Sequence, residues 1–137
     1  MDTIDLKNPT LYINRELSLL EFNRRVIEQA KDENLPLLER LRFLCIASTN
    51  LDEFFEIRVA GLKQQVKYGS TQTGPDNLSP TEVLTRVSET AHQFVEEQYS
   101  VWNDLIIPAM AKDNIRLLRR SQWKSQTSRW IHRYFKD

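Results

Sequence analysis

The α-helical character of this chain is clearest in the stretch LLERLRFLCIASTNLDEFFEIRVAGLKQQVKY, residues 37–68. Apolar residues recur there every three or four positions, which is the spacing of one face of an α-helix. The segment STN in its middle predicts a break, because Asn50 is a good helix N-cap and Glu53 follows three residues later. We therefore expect two helices, over residues 36–47 and 50–68.

Capping signals predict one helix on each side of this stretch. Ser18 and Glu21 form the pattern S-x-x-E, which satisfies two free N–H groups at a helix start, and an apolar face follows. The other helix begins with SPTE, residues 79–82, which places proline at the first helical position. Pro108 is expected to kink its last turn. Asn114 is expected to end it in place of the usual glycine.

The predicted fold is all-α, an antiparallel bundle of about four helices over residues 11–113, in which short connections force neighbours to pack. The C-terminal part differs, since residues 115–118 resemble a short strand and Ser121 is expected to cap a last, aromatic-rich helix. A lone strand and helix cannot bury those aromatic side chains well. We therefore divide the chain into a helical domain, residues 1–113, and the truncated beginning of a second domain, residues 114–137.

The composition is that of an ordinary globular protein, with 40% hydrophobic and 28% charged residues. A formal net charge of zero gives no overall indication of nucleic-acid or membrane binding. The single cysteine allows no intramolecular disulfide, and neither a signal peptide nor a transmembrane segment is recognisable. We therefore expect a cytoplasmic protein, which associates with a membrane, if at all, through a full-length complex.

No catalytic or metal-binding constellation stands out in the sequence. His92 and His132 lie far apart and outside any metal-binding motif. Cys45 lies on a leucine-rich face and is expected to be an inert core thiol, whereas His92 is expected to be solvated. Asp52 and Glu56 share a helix face, but two carboxylates make a weak metal site, and solvated surface is the simpler interpretation. We expect neither a catalytic residue nor a metal site in this chain.

The C-terminal stretch is locally basic. From residue 119 onward there are six basic residues and one acidic residue, a local net charge of +5. Basic residues interleaved with Trp and Tyr are typical of surfaces that bind a polyanion, either nucleic acid or a phosphate chain. The alternative, which the sequence favours, is that Trp130 and Phe135 belong to a core and the arginines to a solvated face.

Asn50 is the best candidate for a ligand contact. Its amide offers a carbonyl acceptor and two N–H donors, which suits the hydrogen-bonding edge of an adenine. Plain capping of the helix is the simpler interpretation of the residue itself. The two roles are compatible, because the side-chain oxygen can cap while the amide nitrogen stays free for a ligand.

Two motifs resemble the N-terminal domain of the bacterial polyphosphate kinase family. They are the pattern E-L-S-x-L-x-F-N-x-R-V within residues 16–26 and the pattern S-x-N-L-D-E-F-F at residues 48–55. Their combination is specific, and the resemblance runs without gaps from Leu11 to about Val66. It continues more loosely to Leu118, where the head domain of the family begins.

The resemblance implies an enzyme that reversibly transfers the terminal phosphate of ATP to polyphosphate through a phosphohistidine, with Mg2+. It places the phosphorylated histidine and the magnesium ligands in later domains, so neither His92 nor His132 inherits that role. In the family the N-terminal domain touches the adenine of ATP. The resemblance assigns this contact to the asparagine of the S-x-N-L-D-E-F-F motif, which is Asn50 in this sequence. The expected partners are ATP or ADP, polyphosphate, the remaining domains, and further copies of the full-length chain, but no nucleic acid.

The other motif positions are assigned mainly to buried polar networks that fix helix packing, although some could line the nucleotide pocket. They are Glu16, Asn23, Arg25, Arg42, Asp52 and Arg58. Residues 1–137 alone are expected to bind ATP weakly and to turn nothing over. Two other functions compete with this one: a purely structural or oligomerisation module, and a polyanion-binding module that uses the basic C-terminal helix.

Overall fold

The computed structural model describes residues 4–136, which contain four continuous helices and no strand. The first helix is α1, Arg15–Lys31. The second joins α2, Leu37–Phe54, to α3, Ala60–Lys67, through the π-helical segment Phe55–Val59. The all-α class predicted from the sequence is confirmed.

The third and fourth helices complete the chain. The third joins α4, Pro80–Ser100, to α5, Ile107–Lys112, through the π-helical segment Val101–Ile106, and the fourth is α6, Ser125–Tyr134. Pro108 accounts for the second π-helical segment, because a proline lacks the N–H for the carbonyl four residues earlier and its ring clashes with that carbonyl. The irregularity predicted at Pro108 takes the form of a π-helical turn just before the proline.

The core lies where three helices meet. Helix α1 packs against α2 and α4, and α3 packs against α4. The largest side chains with almost no exposed surface come from α1, α4 and the second π-helical segment. They are Leu20, Ile27, Val87, Phe94 and Ile106.

The predicted break at residues 48–50 is wrong, because α2 runs through it. The hydroxyl of Thr49 donates to the carbonyl oxygen of Cys45 over 3.1 Å, one turn earlier in the same helix. The amide of Asn50 donates to Oδ1 of Asn23 on α1 over 3.1 Å. A Thr hydroxyl that bonds to the carbonyl four residues earlier can stay within a helix, and the partner of Asn50 on another helix keeps its amide from competing for nearby backbone groups. Asn50 is therefore not a helix cap.

The start of α1 also differs from the prediction, since the cap is Asn14 and not Ser18. Oδ1 of Asn14 accepts from the backbone N–H of Leu17 over 3.1 Å, and Nδ2 donates to Asp76 over 2.7 Å. This contact with the loop before α4 fixes the earlier residue as the cap, which the S-x-x-E pattern alone could not show. The capping box at Ser79 is confirmed, and hydrogen bonds from its backbone and hydroxyl lower the pKa of Glu82.

An ion-pair cluster ties α1 to α4. Nζ of Lys31 lies 2.7 Å from Oε1 of Glu28 and also contacts the carboxylate of Glu97. Desolvation lowers the pKa of Lys31, but the hydrogen bonds and charges of Glu28 and Glu97 outweigh it, and the pKa is raised above its ordinary 10.5. Because the folded pKa is the higher one, this contact stabilises the fold at neutral pH and is lost only in strongly alkaline solution.

The predicted strand at residues 115–118 is absent. The backbone at its start instead forms hydrogen bonds that cap the C-terminal end of α5. Asn114 has a φ of 60°. The N–H of Ile115 donates back to the carbonyl of Met110 over 2.8 Å, and that of Asn114 donates to Ala111 over 3.2 Å. These two bonds form a Schellman cap, which confirms Asn114 as the residue that ends the helix. The segment beyond it has no strand to pair with among residues 4–136.

Helix α6 carries no buried residue. It begins at Ser125, so the predicted cap at Ser121 is wrong, and that residue lies in the one-turn helix Arg120–Gln122. Trp130 and Phe135 are exposed, so no core within residues 4–136 buries them. The ring of Trp130 instead stacks on Tyr134 at 5.3 Å between centroids.

Cys45 is exposed, so the predicted core thiol is wrong. The buried stripe of α2 passes through Leu44, Ala47 and Leu51. Cys45 lies one position beyond that stripe, at the edge of a shallow cavity beside Tyr99. The leucine-rich pattern therefore predicted the buried face of α2 with an error of one residue.

Arg40 is a buried contact that the sequence analysis missed. Its side chain is almost fully buried, and Nε donates to the carbonyl oxygen of Ala30 over 2.9 Å. That carbonyl lies in the last turn of α1, where it has no partner within the helix. Arg40, which lies on α2, therefore provides a hydrogen-bond donor for a free carbonyl at the C-terminal end of α1.

Replacement of this residue tests its structural role. We expect Arg40→Ala to lower the free energy of unfolding by about 2 kcal/mol, because it removes a charged donor from a buried acceptor. Arg42→Ala is the matched control, since the side chain of Arg42 is 72% exposed, and its cost should stay within about 0.5 kcal/mol. Urea denaturation of both variants measures the difference. Equal losses would contradict this role for Arg40.

Candidate functional site

A cavity of about 340 Å³ lies between α1 and the second helix. Its lining combines apolar side chains with two amides, one carboxylate and one guanidinium. The lining residues are Leu19, Leu20, Phe22, Asn23, Asn50, Glu53, Phe54, Ile57 and Arg58. The two sequence motifs, which are separated along the chain, therefore meet at a single site.

Helical spacing explains why these residues share one cavity. On α1, Leu19 and Asn23 are four residues apart and lie on the same face. On the second helix, Asn50, Phe54 and Ile57 follow at steps of four and three residues, again on one face. The last of these lies in the π-helical segment, a feature that occurs often at functional sites.

The cavity has a buried floor and an apolar rim. Leu20, Asn23 and Phe54 are each less than 10% exposed, whereas Phe22 is 53% and Ile57 60% exposed. Exposed apolar side chains beside a polar floor suit a flat, partly apolar ligand that covers the rim and reaches the amides.

The two amides at the floor are joined. Nδ2 of Asn23 donates to the backbone carbonyl of Ala47 over 2.9 Å, and Oδ1 of Asn23 accepts from Nδ2 of Asn50 over 3.1 Å. Asn23 is 4% exposed, while Asn50 is half-buried at the cavity surface. The buried amide therefore holds the accessible one in place.

Few charged side chains line the cavity. Glu53 and Arg58 contribute one negative and one positive charge to its lining. Outside the lining, the guanidinium of Arg25 lies over the ring of Phe22, 5.5 Å from its centroid. Such a cation–π contact orders the aromatic ring at the rim. The electrostatics are nearly balanced, which favours a neutral ligand group over a multiply charged one.

The remaining motif residues divide into several groups. Asn23 is buried and forms the predicted polar contact. Arg58 lines the cavity with Asn50, and Glu16 is half-buried near the start of α1. Arg25, Arg42 and Asp52 are exposed and form no buried network among residues 4–136. No sequence signal singled out Asn23 as the residue next to Asn50, because contacts between helices leave no fixed spacing.

Metal ligands do not come together in the part of the chain that the structure describes. No group of three or more His, Cys, Asp or Glu side chains could hold an ion there. Asp52 and Glu56 lie on an exposed surface. His92 is solvated as predicted, with Nδ1 2.7 Å from the carbonyl oxygen of Ser88. The residues described here therefore do not fit a magnesium site.

A second cluster of charged residues lies on α6. A shallow cavity of about 390 Å³ is lined by Ser128, Arg129, His132, Arg133 and Lys136. All five of these residues are exposed, and the two arginines are one helical turn apart. This basic face is distinct from the cavity that contains Asn50.

The comparison with known proteins matches most of this chain to one family. The family described as the polyphosphate kinase N-terminal domain matches residues 12–118. This chain belongs to that family. Both motifs of the cavity between α1 and α2 lie within the matched residues, so the site is part of the polyphosphate kinase N-terminal domain.

Several longer proteins named polyphosphate kinase are similar to this chain. That of Pseudomonas putida is 54% identical over 132 residues, which is 96% of this chain and 18% of that protein. That of Xylella fastidiosa strain 9a5c is 47% identical over 131 residues, 96% of this chain and 19% of that protein. That of Neisseria gonorrhoeae is 47% identical over 121 residues, 88% of this chain and 18% of that protein.

This chain therefore spans less than a fifth of the length of these curated relatives. No solved structure matches it. Among residues 4–136, no helix has the length and apolarity needed to cross a bilayer.

Proposed function

We propose that this chain forms the N-terminal part of a polyphosphate kinase that reversibly transfers the terminal phosphate of ATP to polyphosphate. In this proposal the cavity between α1 and α2 takes the adenine of ATP, and Asn50 bonds to its edge. The observation that carries the proposal is the convergence of both family motifs on one cavity with an accessible amide at its floor.

The size of the cavity supports recognition of a base. Ligand sites in proteins span roughly 300–1,000 Å³, and a cavity of about 340 Å³ lies at the lower end of that range. Such a space suits a purine ring better than a whole nucleotide. The apolar rim of Leu19, Phe22 and Ile57 offers the contact surface that an aromatic base needs.

The phosphates of ATP would be held elsewhere. Arg58 is the one basic side chain in the cavity lining among the described residues, and Glu53 offsets its charge. A triphosphate needs several cationic or metal contacts, which this lining does not provide. We therefore propose that residues 1–137 bind ATP weakly and catalyse nothing alone, and that Mg2+ and the phosphohistidine belong to other domains.

The same proposal includes the arrangement of the whole protein. Residues 1–113 form the helical domain and residues 114–137 begin the next one. The exposed aromatic face of α6, with Trp130, Tyr134 and Phe135, supports this division, because a complete domain would cover it. Assembly of full-length chains into an oligomer is part of the proposal as well.

Asn50→Ala in the full-length enzyme tests the adenine contact. We expect the ATP Michaelis constant to rise about fivefold, because one net hydrogen bond contributes about 1 kcal/mol. The melting temperature should change little, since alanine favours the middle of a helix and water in the open cavity can replace the donor to Asn23. Steady-state kinetics and a thermal melt measure the two effects.

Asn103→Ala is the matched control, because Asn103 is an exposed asparagine in another helix. It should leave both quantities unchanged. A lowered melting temperature with an unchanged Michaelis constant for Asn50→Ala would contradict the adenine contact. That result would make this domain a purely structural or oligomerisation module.

The basic face of α6 supports a second candidate function, binding of a polyanion such as the polyphosphate chain. Arg129 and Arg133 lie one turn apart on it, with His132 and Lys136 beside them. Phosphate chains bind such surfaces through several cations at once, with strong dependence on salt.

The double variant Arg129→Ala/Arg133→Ala tests this function with inorganic polyphosphate as the probe. We expect its affinity for polyphosphate to fall at least tenfold at low salt, because two charged contacts are lost. Lys63→Ala/Lys67→Ala is the matched control, with two exposed lysines removed from one face of α3. Titration calorimetry at two salt concentrations distinguishes them. Equal losses in both double variants would show only a general effect of net charge.

A further inference from the structure

The hydrogen-bond chain from Ala47 to Asn50 has a fixed direction. An asparagine amide presents an acceptor on one side and donors on the other, and a half-turn exchanges them with little change in shape. A backbone carbonyl can only accept. Asn23 therefore has to place Nδ2, and not Oδ1, against the carbonyl of Ala47, which lies 2.9 Å away.

This orientation determines what Asn50 shows to the cavity. Because Nδ2 of Asn23 faces Ala47, its Oδ1 faces Asn50 and accepts from Nδ2 of that residue over 3.1 Å. A half-turn of Asn50 would place two amide oxygens against each other and lose the bond. Within residues 4–136, Oδ1 of Asn50 accepts no hydrogen bond and its second N–H has no acceptor. Asn50 thus presents one acceptor and one donor to the cavity in a fixed orientation.

We propose that Asn23 is a positioning residue that locks the amide of Asn50 and makes the cavity select a 6-aminopurine over a 6-oxopurine. The proposal rests on the proposed adenine site and adds the polarity of its recognition. The 6-amino group of adenine donates to Oδ1 of Asn50, and a ring nitrogen beside it accepts from the free N–H. Asn23 itself does not touch the base.

A 6-oxopurine presents the opposite pattern on its Watson–Crick edge. Its carbonyl oxygen meets Oδ1 of Asn50, acceptor against acceptor, and its ring N–H meets the N–H of the amide. A free asparagine would turn over and accommodate this base equally well. The buried contact from Asn23 to Ala47 prevents that turn, since neither amide can reverse without leaving a polar group unpaired.

Three nucleotides with the full-length wild-type enzyme distinguish a locked amide from a free one. They are ATP, inosine triphosphate, and purine riboside triphosphate, which lacks any group at position 6. A locked amide predicts that the Michaelis constant rises from ATP to the purine analogue and again to inosine triphosphate, by about fivefold at each step. A free amide predicts that inosine triphosphate matches ATP and that the purine analogue is the poorest.

The variant Asn23→Leu tests the role of Asn23 directly, since it removes the anchor but fills the buried space. We expect inosine triphosphate to overtake the purine analogue in this variant, because the amide of Asn50 is then free to turn. Asn23→Ser serves if the leucine variant does not fold. A merely structural role for Asn23 would change the three constants by a common factor and leave their order intact.

The outcomes separate this inference from the proposed function on which it rests. If the three nucleotides differ in wild type and lose their differences in Asn50→Ala, but keep their order in Asn23→Leu and Asn23→Ser, the positioning role is overturned and the adenine site stands. If Asn50→Ala leaves the wild-type order unchanged, the adenine site itself is overturned. The wild-type order expected for a free amide also overturns the positioning role.

Discussion

The contact on which the site depends is the partly buried hydrogen bond between the amides of Asn23 and Asn50. It joins α1 to α2 in the middle of both helices, and Asn23 adds a second bond, to the backbone carbonyl of Ala47 on α2. Each amide is kept from its own backbone by the other, so the polar residues do not disrupt either helix. The same contact orients the accessible amide groups of Asn50 at the floor of the cavity.

The lining around this pair supports the proposal that the domain binds the base of a nucleotide and not its phosphates. The cavity offers apolar contact and two directional hydrogen-bonding groups, but little net charge. Neutral bases are recognised well by such surfaces, while phosphates need concentrated positive charge or metal ions. A helical domain with this lining is therefore suited to the base of ATP, and the chemistry at the phosphates can lie in other parts of a longer protein.

Local signals in the sequence predicted the parts of the fold that depend on neighbouring residues. The capping box at Ser79 and the left-handed end at Asn114 follow from backbone chemistry within a few positions, and both are confirmed. The hydrogen-bonding groups of its amide predicted Asn50 as a ligand contact, and Asn50 lines the cavity. The break expected there was wrong, because its partner, Asn23, lies 27 residues away along the chain.

Features that depend on contacts between residues far apart along the chain could not be predicted. Asn14, which caps α1, bonds to Asp76, and Arg40 on α2 bonds to the carbonyl of Ala30 at the end of α1. Neither pair has a recognisable spacing in the sequence. The exposure of Cys45 depends on the rotation of α2, which periodicity fixes only to about one residue. The direction of the amides at the floor follows from the carbonyl of Ala47, which the sequence does not place near Asn23.

The central claim is that this domain recognises the base end of ATP, and the most direct measurement uses this chain with adenosine, which carries no phosphate. Amide resonances of isotopically labelled protein are followed by nuclear magnetic resonance during titration with adenosine and, separately, with ribose triphosphate. The account predicts that adenosine shifts the side-chain amide signals of Asn50 and Asn23, while ribose triphosphate leaves them unchanged. Shifts confined to α6, or caused by ribose triphosphate alone, would contradict it.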